Sequence, residues 1–325
     1  MSLATTYLSW RLPHPFIVGS GPLTDDIGMV RQLEDAGAAA FVLHPLYEED
    51  IVGEQISAFF HSESHHDSFA EATSYSPDPE QAPGPDEYLE YLRRVKSAVN
   101  VPVIAALDGQ SLGGWTSYAR LLEQAGADAL ELNLYHAASD PETSGAEVER
   151  RMLEIVRHVK VGLHIPVAVK LSPLFTAFAH FAARLDSAGV DGLTLFTRFH
   201  RADIDVNELE IVRTFPPSDS SELSLRLRGV AALAGRLRAS LAVAGGVHDV
   251  LDVVKATMVG AHAVQMVSAL ERNGPGHLRT LRGGLESWLA ENEWSSLDEM
   301  RGNMGFDRIP DPAAYERAHF RTMLQ

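Results

Sequence analysis

The apolar residues of this chain come in short runs, each followed by a helix-length segment in which apolar positions recur every three or four residues. Phe16-Ile17-Val18-Gly19 is the first run and is closed by Gly19-Ser20-Gly21-Pro22. Met29, Val30 and Leu33 then fall at helical spacing behind a capping aspartate, Asp25 or Asp26. Ala36-Gly37-Ala38-Ala39-Ala40-Phe41-Val42-Leu43-His44 ends that helix at a glycine and starts a strand at once. The same joint recurs around Gly126, Gly189 and Gly260, each time leading into an apolar run. A left-handed glycine stops a helix there, and the small residue behind it lets the chain turn back tightly. Between the joints lie Val103–Leu107, Val167–Leu171 and Leu241–Ala244. The pattern predicts about eight strands alternating with helices, which favours a closed (β/α)₈ TIM barrel over an open doubly wound sheet. An open sheet is expected to carry a full glycine fingerprint after its first strand, and Gly19-Ser20-Gly21 is only half of one. The expected architecture is a single α/β domain over residues 1–325, with terminal helices from the tail beyond Glu293, where Trp294 and other apolar residues keep helical spacing.

Two stretches break the regular pattern. Residues 45–86 hold Phe59-Phe60-His61, His65-His66 and a Pro/Gly/Glu-rich end, and a connection of that length after strand 2 predicts a lid or binding loop. Thr214 to Leu223 is a second polar, proline-containing loop, ahead of strand 7. The last two strands carry the clearest chemical hint. Leu241-Ala242-Val243-Ala244 runs into Gly245-Gly246-Val247, and about twenty residues later His262-Ala263-Val264-Gln265-Met266-Val267 ends at Ser268. Backbone N–H groups approach an anion closely only where no Cβ intrudes, and the loops after strands 7 and 8 of such barrels often hold a phosphate. A glycine pair alone is equally compatible with a tight strand-to-helix turn.

Composition narrows the function. The 325 residues contain no cysteine, which excludes disulfides, thiolate metal sites, a cysteine base and any iron–sulfur cluster held by this chain. A formal charge of -17 opposes nonspecific binding to nucleic acid or to anionic membranes. No run of eighteen apolar residues and no signal-like start are present, so the expected location is cytoplasmic.

In a barrel enzyme the working residues sit at the carboxyl ends of the strands, here Ser20, His44, Asp108, Asn133, Lys170, Thr197, Gly245 and Ser268. Lys170, in Ala168-Val169-Lys170-Leu171-Ser172-Pro173, ends an otherwise apolar strand, where a charge is costly unless it meets an anion or an acid. Asn133 offers a donor and an acceptor on the preceding strand. Glu131, two residues earlier, must pair with a cation or project among the helices. Three histidines on the 45–86 loop lack metal-ligand spacing on a regular element, and no metal is expected.

The ordered set Gly19-Ser20-Gly21, Glu131-Leu132-Asn133-Leu134, Val169-Lys170-Leu171-Ser172-Pro173, Ala244-Gly245-Gly246-Val247 and Val264-Gln265-Met266-Val267-Ser268-Ala269-Leu270 resembles the dihydroorotate dehydrogenase family over residues 5 to 290. The resemblance implies an FMN-dependent oxidoreductase that moves hydride between flavin and a small dihydropyrimidine-like substrate. It implies that Gly19 and Ser20 lie near the flavin ring, that Asn133 contacts flavin and substrate, and that Lys170 donates to the flavin's pyrimidine edge. Gly245 and Gly246, with Val267 and Ser268, match the cradle for the FMN phosphate. It also implies a homodimer, and an electron acceptor that includes a partner protein if an iron–sulfur relay is used.

The departures concentrate on the substrate. Where the family has Asn-Leu-Ser-Cys/Ser-Pro-Asn, this chain has Asn133-Leu134-Tyr135-His136-Ala137-Ala138, so His136 takes the position of the base and Ala138 that of a substrate asparagine. A second family lysine falls on His44, an asparagine after strand 6 falls near Thr197, and the usual asparagine of the lid is missing from Pro77 to Pro85. His136 is the candidate acid/base, since imidazole titrates near neutrality. Two other classes stay open on the residues: a phosphate-binding lyase or aldolase barrel with Lys170 as Schiff base, and a flavin-binding accessory barrel without turnover.

Overall fold

The computed structural model describes residues 1–47, 85–108, 112–134, 140–198, 201–214 and 216–312. Nearly all of the expected lid, together with His61, His65, His66 and His136, lies outside the described residues. Eight parallel strands close into a barrel. They are β1 (Phe16–Val18), β2 (Ala40–Tyr47), β3 (Val103–Asp108), β4 (Ala129–Leu134), β5 (Val167–Leu171), β6 (Gly192–Leu195), β7 (Ser240–Ala244) and β8 (Ala263–Met266). β8 pairs back onto β1 through Val264 and Phe16, which closes the ring expected from the alternation of elements.

Seven helices follow the first seven strands: α1 (Ile27–Asp35), α2 (Pro85–Ala98), α3 (Leu112–Gln124), α4 (Gly145–Gly162), α5 (Phe178–Ser187), α6 (Leu223–Leu233) and α7 (Val250–Val259). Asp26 is the cap of α1, its Oδ1 accepting from the Met29 N–H at 2.7 Å. The joint glycines Gly37, Gly126, Gly189 and Gly260 all have positive φ, between 91° and 120°, so the repeated Gly-small pattern marks real helix ends. β8 is followed by α8 (Ser268–Asn273), α9 (His277–Glu291) and α10 (Leu297–Met300). The tail thus packs back as expected, with Leu297 and Met300 fully buried.

Apolar burial divides into two clusters, because successive strand residues face opposite sides of the sheet. The larger lies between strands and helices and includes Phe16, Phe41, Leu132, Val169 and Val243. The smaller fills the barrel, and most of its strand residues are alanines, Ala40, Ala106, Ala129, Ala168, Ala242 and Ala263, beside Ile17, Val42 and Ile104. An N-terminal hairpin explains that choice. Thr5–Tyr7 pairs antiparallel with Trp10–Leu12 around Leu8-Ser9, whose φ values of 48° and 68° are those of a tight hairpin turn usually given to Asn or Gly. Leu8 accepts this conformation because its side chain enters the barrel, where a Cβ on Gly192 would stand 2.6 Å from Leu8 Cδ2. The Leu8 N–H donates to Ser240 Oγ at 3.2 Å and holds the plug to the start of β7.

A second hairpin, Arg201–Asp205 with Glu210–Thr214, follows β6 and was not legible as strands in the polar sequence around it. Among the described residues no helix is long and apolar enough to cross a membrane.

Truncating the plug tests this account. Leu8→Ala removes a fully buried side chain from a rigid cavity and is expected to cost about 2–5 kcal/mol in urea denaturation, whereas Leu225→Ala, on an exposed part of α6, is expected to cost less than about 1 kcal/mol.

Candidate active site

Polar residues on the inward parity of four strands meet above the alanine layers. Glu131 on β4 is completely buried, and Lys170 on β5 is nearly so. Lys170 Nζ donates to Glu131 Oε1 at 3.2 Å and to Gln265 Oε1 at 3.3 Å. Thr194 Oγ1, on β6, donates to Glu131 Oε2 at 2.8 Å, and Gln265 Nε2, on β8, donates to the same oxygen at 2.6 Å. Of the two places the sequence allowed for Glu131, the structure therefore chooses the barrel interior and a cation. A carboxylate with three donors is stabilised where a bare one would not be. Near it lies Tyr7 of the plug, whose hydroxyl faces Thr194 and Gln265 but has no hydrogen bond of good geometry among the described residues. Burial first, and the Glu131 charge second, push the Tyr7 pKa far up, so the phenol stays protonated.

Gln265 also reaches the glycine pair. Its carbonyl accepts from the Gly245 N–H at 3.3 Å while its side chain holds Lys170, so one residue spans the distance between the lysine and the first glycine of the pair. Gly19 joins the same group, since a Cβ there would lie 3.1 Å from Val267 Cγ2 and 3.3 Å from Gln265 Cβ. Gly245 and Gly246 both have φ of 77°, a region L side chains avoid, and a Cβ on Gly246 would come within 2.6 Å of the Leu223 backbone nitrogen. The turn is braced from below. Arg226 donates to the Ala244 carbonyl and to the Glu222 carbonyl, both at 2.6 Å, and Arg198 makes a two-point contact with the Glu222 carboxylate.

The polar loop ahead of α6 folds onto this turn. The buried Ser218 donates its N–H to Ser268 Oγ at 3.0 Å, and its hydroxyl sits 3.5 Å from the Gly246 nitrogen and 3.2 Å from His248 Nε2. Burial, ahead of nearby Arg272, lowers the His248 pKa and favours a neutral ring there.

The structure therefore gathers Gly19, Lys170, Gly245, Gly246, Val267 and Ser268 at the carboxyl ends of β5, β7, β8 and β1. Asn133 pairs in register with Lys170. Asn133 Oδ1 and Thr197 Oγ1 are both buried without a partner among the described residues, and both stand at this end of the barrel. Ser20 is half-buried on the β1 exit loop. His44 stands apart on the rim, its Nδ1 3.2 Å from both carboxylate oxygens of Asp25. Tyr88 OH donates to the His44 carbonyl and fixes that rim to α2. Among the described residues no group of three metal-ligating side chains comes together.

Sequence reading missed Thr194, Gln265 and Tyr7 as site components. The first two had a usable signal, since each is the polar residue of an apolar strand at the parity that faces inward; Tyr7 had none, because its strand is not in the barrel. Ser218 and the Arg198–Glu222–Arg226 brace come from a loop whose fold the sequence does not reveal.

Residues 80–289 match the dihydroorotate dehydrogenase family. The chain belongs to that family. A dihydroorotate dehydrogenase A (fumarate) homologue of Aeropyrum pernix is 32% identical over 228 residues, 68% of this chain and 73% of the relative. The dihydroorotate dehydrogenase B (NAD(+)) catalytic subunit of Thermoplasma volcanium is 25% identical over 308 residues, 92% of this chain and 97% of the relative. The NAD-dependent dihydropyrimidine dehydrogenase subunit PreA of Escherichia coli K12 is 24% identical over 326 residues, 95% and 78% of the two chains. Dihydroorotate dehydrogenase family enzymes are flavin-dependent dehydrogenases acting on CH–CH groups, and membership makes this chain a dihydroorotate or dihydropyrimidine dehydrogenase-like oxidoreductase.

Removing one side of the buried ion pair tests the site's construction. Lys170→Met leaves Glu131 in the interior without its cation and is expected to lower stability by about 3–5 kcal/mol, read as a fall in the urea midpoint.

Proposed function

We propose that this chain binds FMN across the carboxyl face of the barrel and oxidises a small dihydropyrimidine-like ring. The observation that carries the reading is Gln265, which ties Lys170 to the Gly245 turn and so sets a cationic donor and a bare-backbone cradle within one residue's reach. Among the described residues Asn133 Oδ1, an acceptor, and Thr197 Oγ1, both donor and acceptor, are buried without a partner at the same end, which fits a ring rich in N–H and C=O groups.

In this reading the backbone N–H groups of Gly246, Val267 and Ser268 hold the phosphate while Gly245, whose own N–H is given to the Gln265 carbonyl, keeps the turn free of side-chain bulk; Gly19, Ser20, Asn133 and Thr197 surround the ring, with His44 on the adjoining rim beside Asp25. When bound, FMN accepts the two electrons and one proton of a hydride, and the second hydrogen leaves the substrate as a proton. Lys170 has a third N–H beyond those given to Glu131 and Gln265, and it serves the pyrimidine edge, where negative charge builds on reduction. His136 takes the substrate proton. Both described partners of Lys170 are acceptors, so its nitrogen works as a donor; that favours flavin over a Schiff base, and borohydride is expected to trap no substrate on it.

Ala138 in place of a substrate asparagine removes a hydrogen-bond partner that a site for orotate would use, worth about 1–3 kcal/mol, which favours a dihydropyrimidine other than dihydroorotate. The relatives from Thermoplasma volcanium and Escherichia coli are named as NAD-dependent subunits. A partner protein that passes electrons onward fits this chain too, and since the chain has no cysteine, any iron–sulfur relay belongs to that partner.

The test is spectroscopic. Purified or reconstituted protein is expected to show the flavin absorption band with one FMN per chain, and the band is expected to bleach anaerobically with an uncarboxylated dihydropyrimidine faster than with dihydroorotate. Protein that takes up no FMN would overturn the reading. His136→Ala is expected to keep its FMN and to slow bleaching by about 10²–10⁴-fold; an unchanged rate removes His136 from the chemistry.

A further inference from the structure

The buried carboxylate under Lys170 has a use beyond satisfying the lysine. We infer that Glu131 is a positioning residue that sets the electrostatic strength of Lys170, and with it the reduction potential of the cofactor; this rests on the FMN reading above.

Three observations carry it. Glu131 is completely buried, and its two oxygens accept three hydrogen bonds from inside the barrel: Lys170 on Oε1, and Thr194 and Gln265 on Oε2. Its charge is therefore held at one point 3.2 Å from Nζ, in an interior where a charge acts over a longer range than in water. Second, Gln265 grips Lys170 from the other side at 3.3 Å, so the ammonium has a defined location and its remaining N–H a defined direction. Third, the Tyr7 hydroxyl beneath the cluster makes no formed bond, although Glu131 is close enough to push its titration up. The carboxylate is thus not short of donors within the barrel.

A lysine alone would present a full positive charge to the pyrimidine edge and strongly favour the reduced cofactor. Backed by Glu131, it presents a directed donor with much of its charge cancelled, which keeps the cofactor a weaker oxidant and leaves it able to pass electrons on. The carboxylate touches neither cofactor nor substrate in this arrangement and acts through the lysine.

The experiment compares midpoint potentials of bound FMN in Glu131→Gln, Glu131→Asp and Tyr7→Phe. Glu131→Gln keeps the shape and removes the charge, and is expected to raise the potential by the equivalent of tenfold or more in the two-electron equilibrium, about 30 mV. Glu131→Asp keeps the charge and is expected to return most of the way to the parent value. Tyr7→Phe disturbs the same cluster without changing charge and is expected to leave the potential unmoved. A Glu131→Gln potential equal to the parent's, or a shift that Tyr7→Phe reproduces, overturns the proposal.

A double-mutant cycle of Glu131→Gln with Lys170→Met, read by urea denaturation of flavin-free protein, tests the pair apart from the cofactor. The double variant is expected to unfold at least tenfold less readily than independent effects would give, and it is expected to fold even if each single variant does not; a double variant no better than the sum of the singles overturns the proposal. If the parent protein takes up no FMN, the flavin reading fails while the cycle still reports on the ion pair.

Discussion

One buried charge pair organises the upper half of this barrel. Lys170 and Glu131 sit on adjacent strands inside a closed ring, where neither could remain charged alone at acceptable cost. Their mutual contact, with Thr194 and Gln265 completing the carboxylate, makes the burial tolerable. Because the four residues come from β4, β5, β6 and β8, the pair also acts as a registration device: a strand slipped by one residue would turn its member of the cluster outward among the helices.

Below the pair the interior is built for a visitor from the same chain. The alanine layers leave a bore too wide to fill itself, and the hairpin carrying Tyr7 and Leu8 fills it from the amino end. The plug thus supports the floor on which the charged cluster stands, and Tyr7 touches both functions. At the opposite end, Gly19, Gly245 and Gly246 keep backbone bare where side chains would press on Val267, on Arg198 and Arg226, and on the Leu223 backbone respectively. The working end of the molecule is therefore defined by absence of side-chain bulk at its edge and by concentrated polarity at its centre.

The brace below the glycine turn shows how much of a site lies in its supports. Arg226 and Arg198 hold Glu222 and the Ala244 carbonyl, and Ser218 links that turn to Ser268. Placing these donors by packing keeps the glycine turn in one shape, which under the proposed FMN reading lowers the entropy lost when a phosphate binds.

Much of this was legible in the chain. The recurrent Gly-small joints counted the strands, because a helix ending in a left-handed glycine leaves the same mark each time, and the strand ends they define already put Asn133 and Lys170 at the carboxyl end of the barrel. Local rules of this kind are written in neighbouring residues. Three things were not: that Glu131 faces Lys170 instead of the helices, that Leu8 and Tyr7 enter the barrel, and that Ser218 folds onto Gly246. Each joins residues far apart in the chain through ring closure, and no spacing in a linear sequence encodes which distant side chain will occupy the space that closure creates.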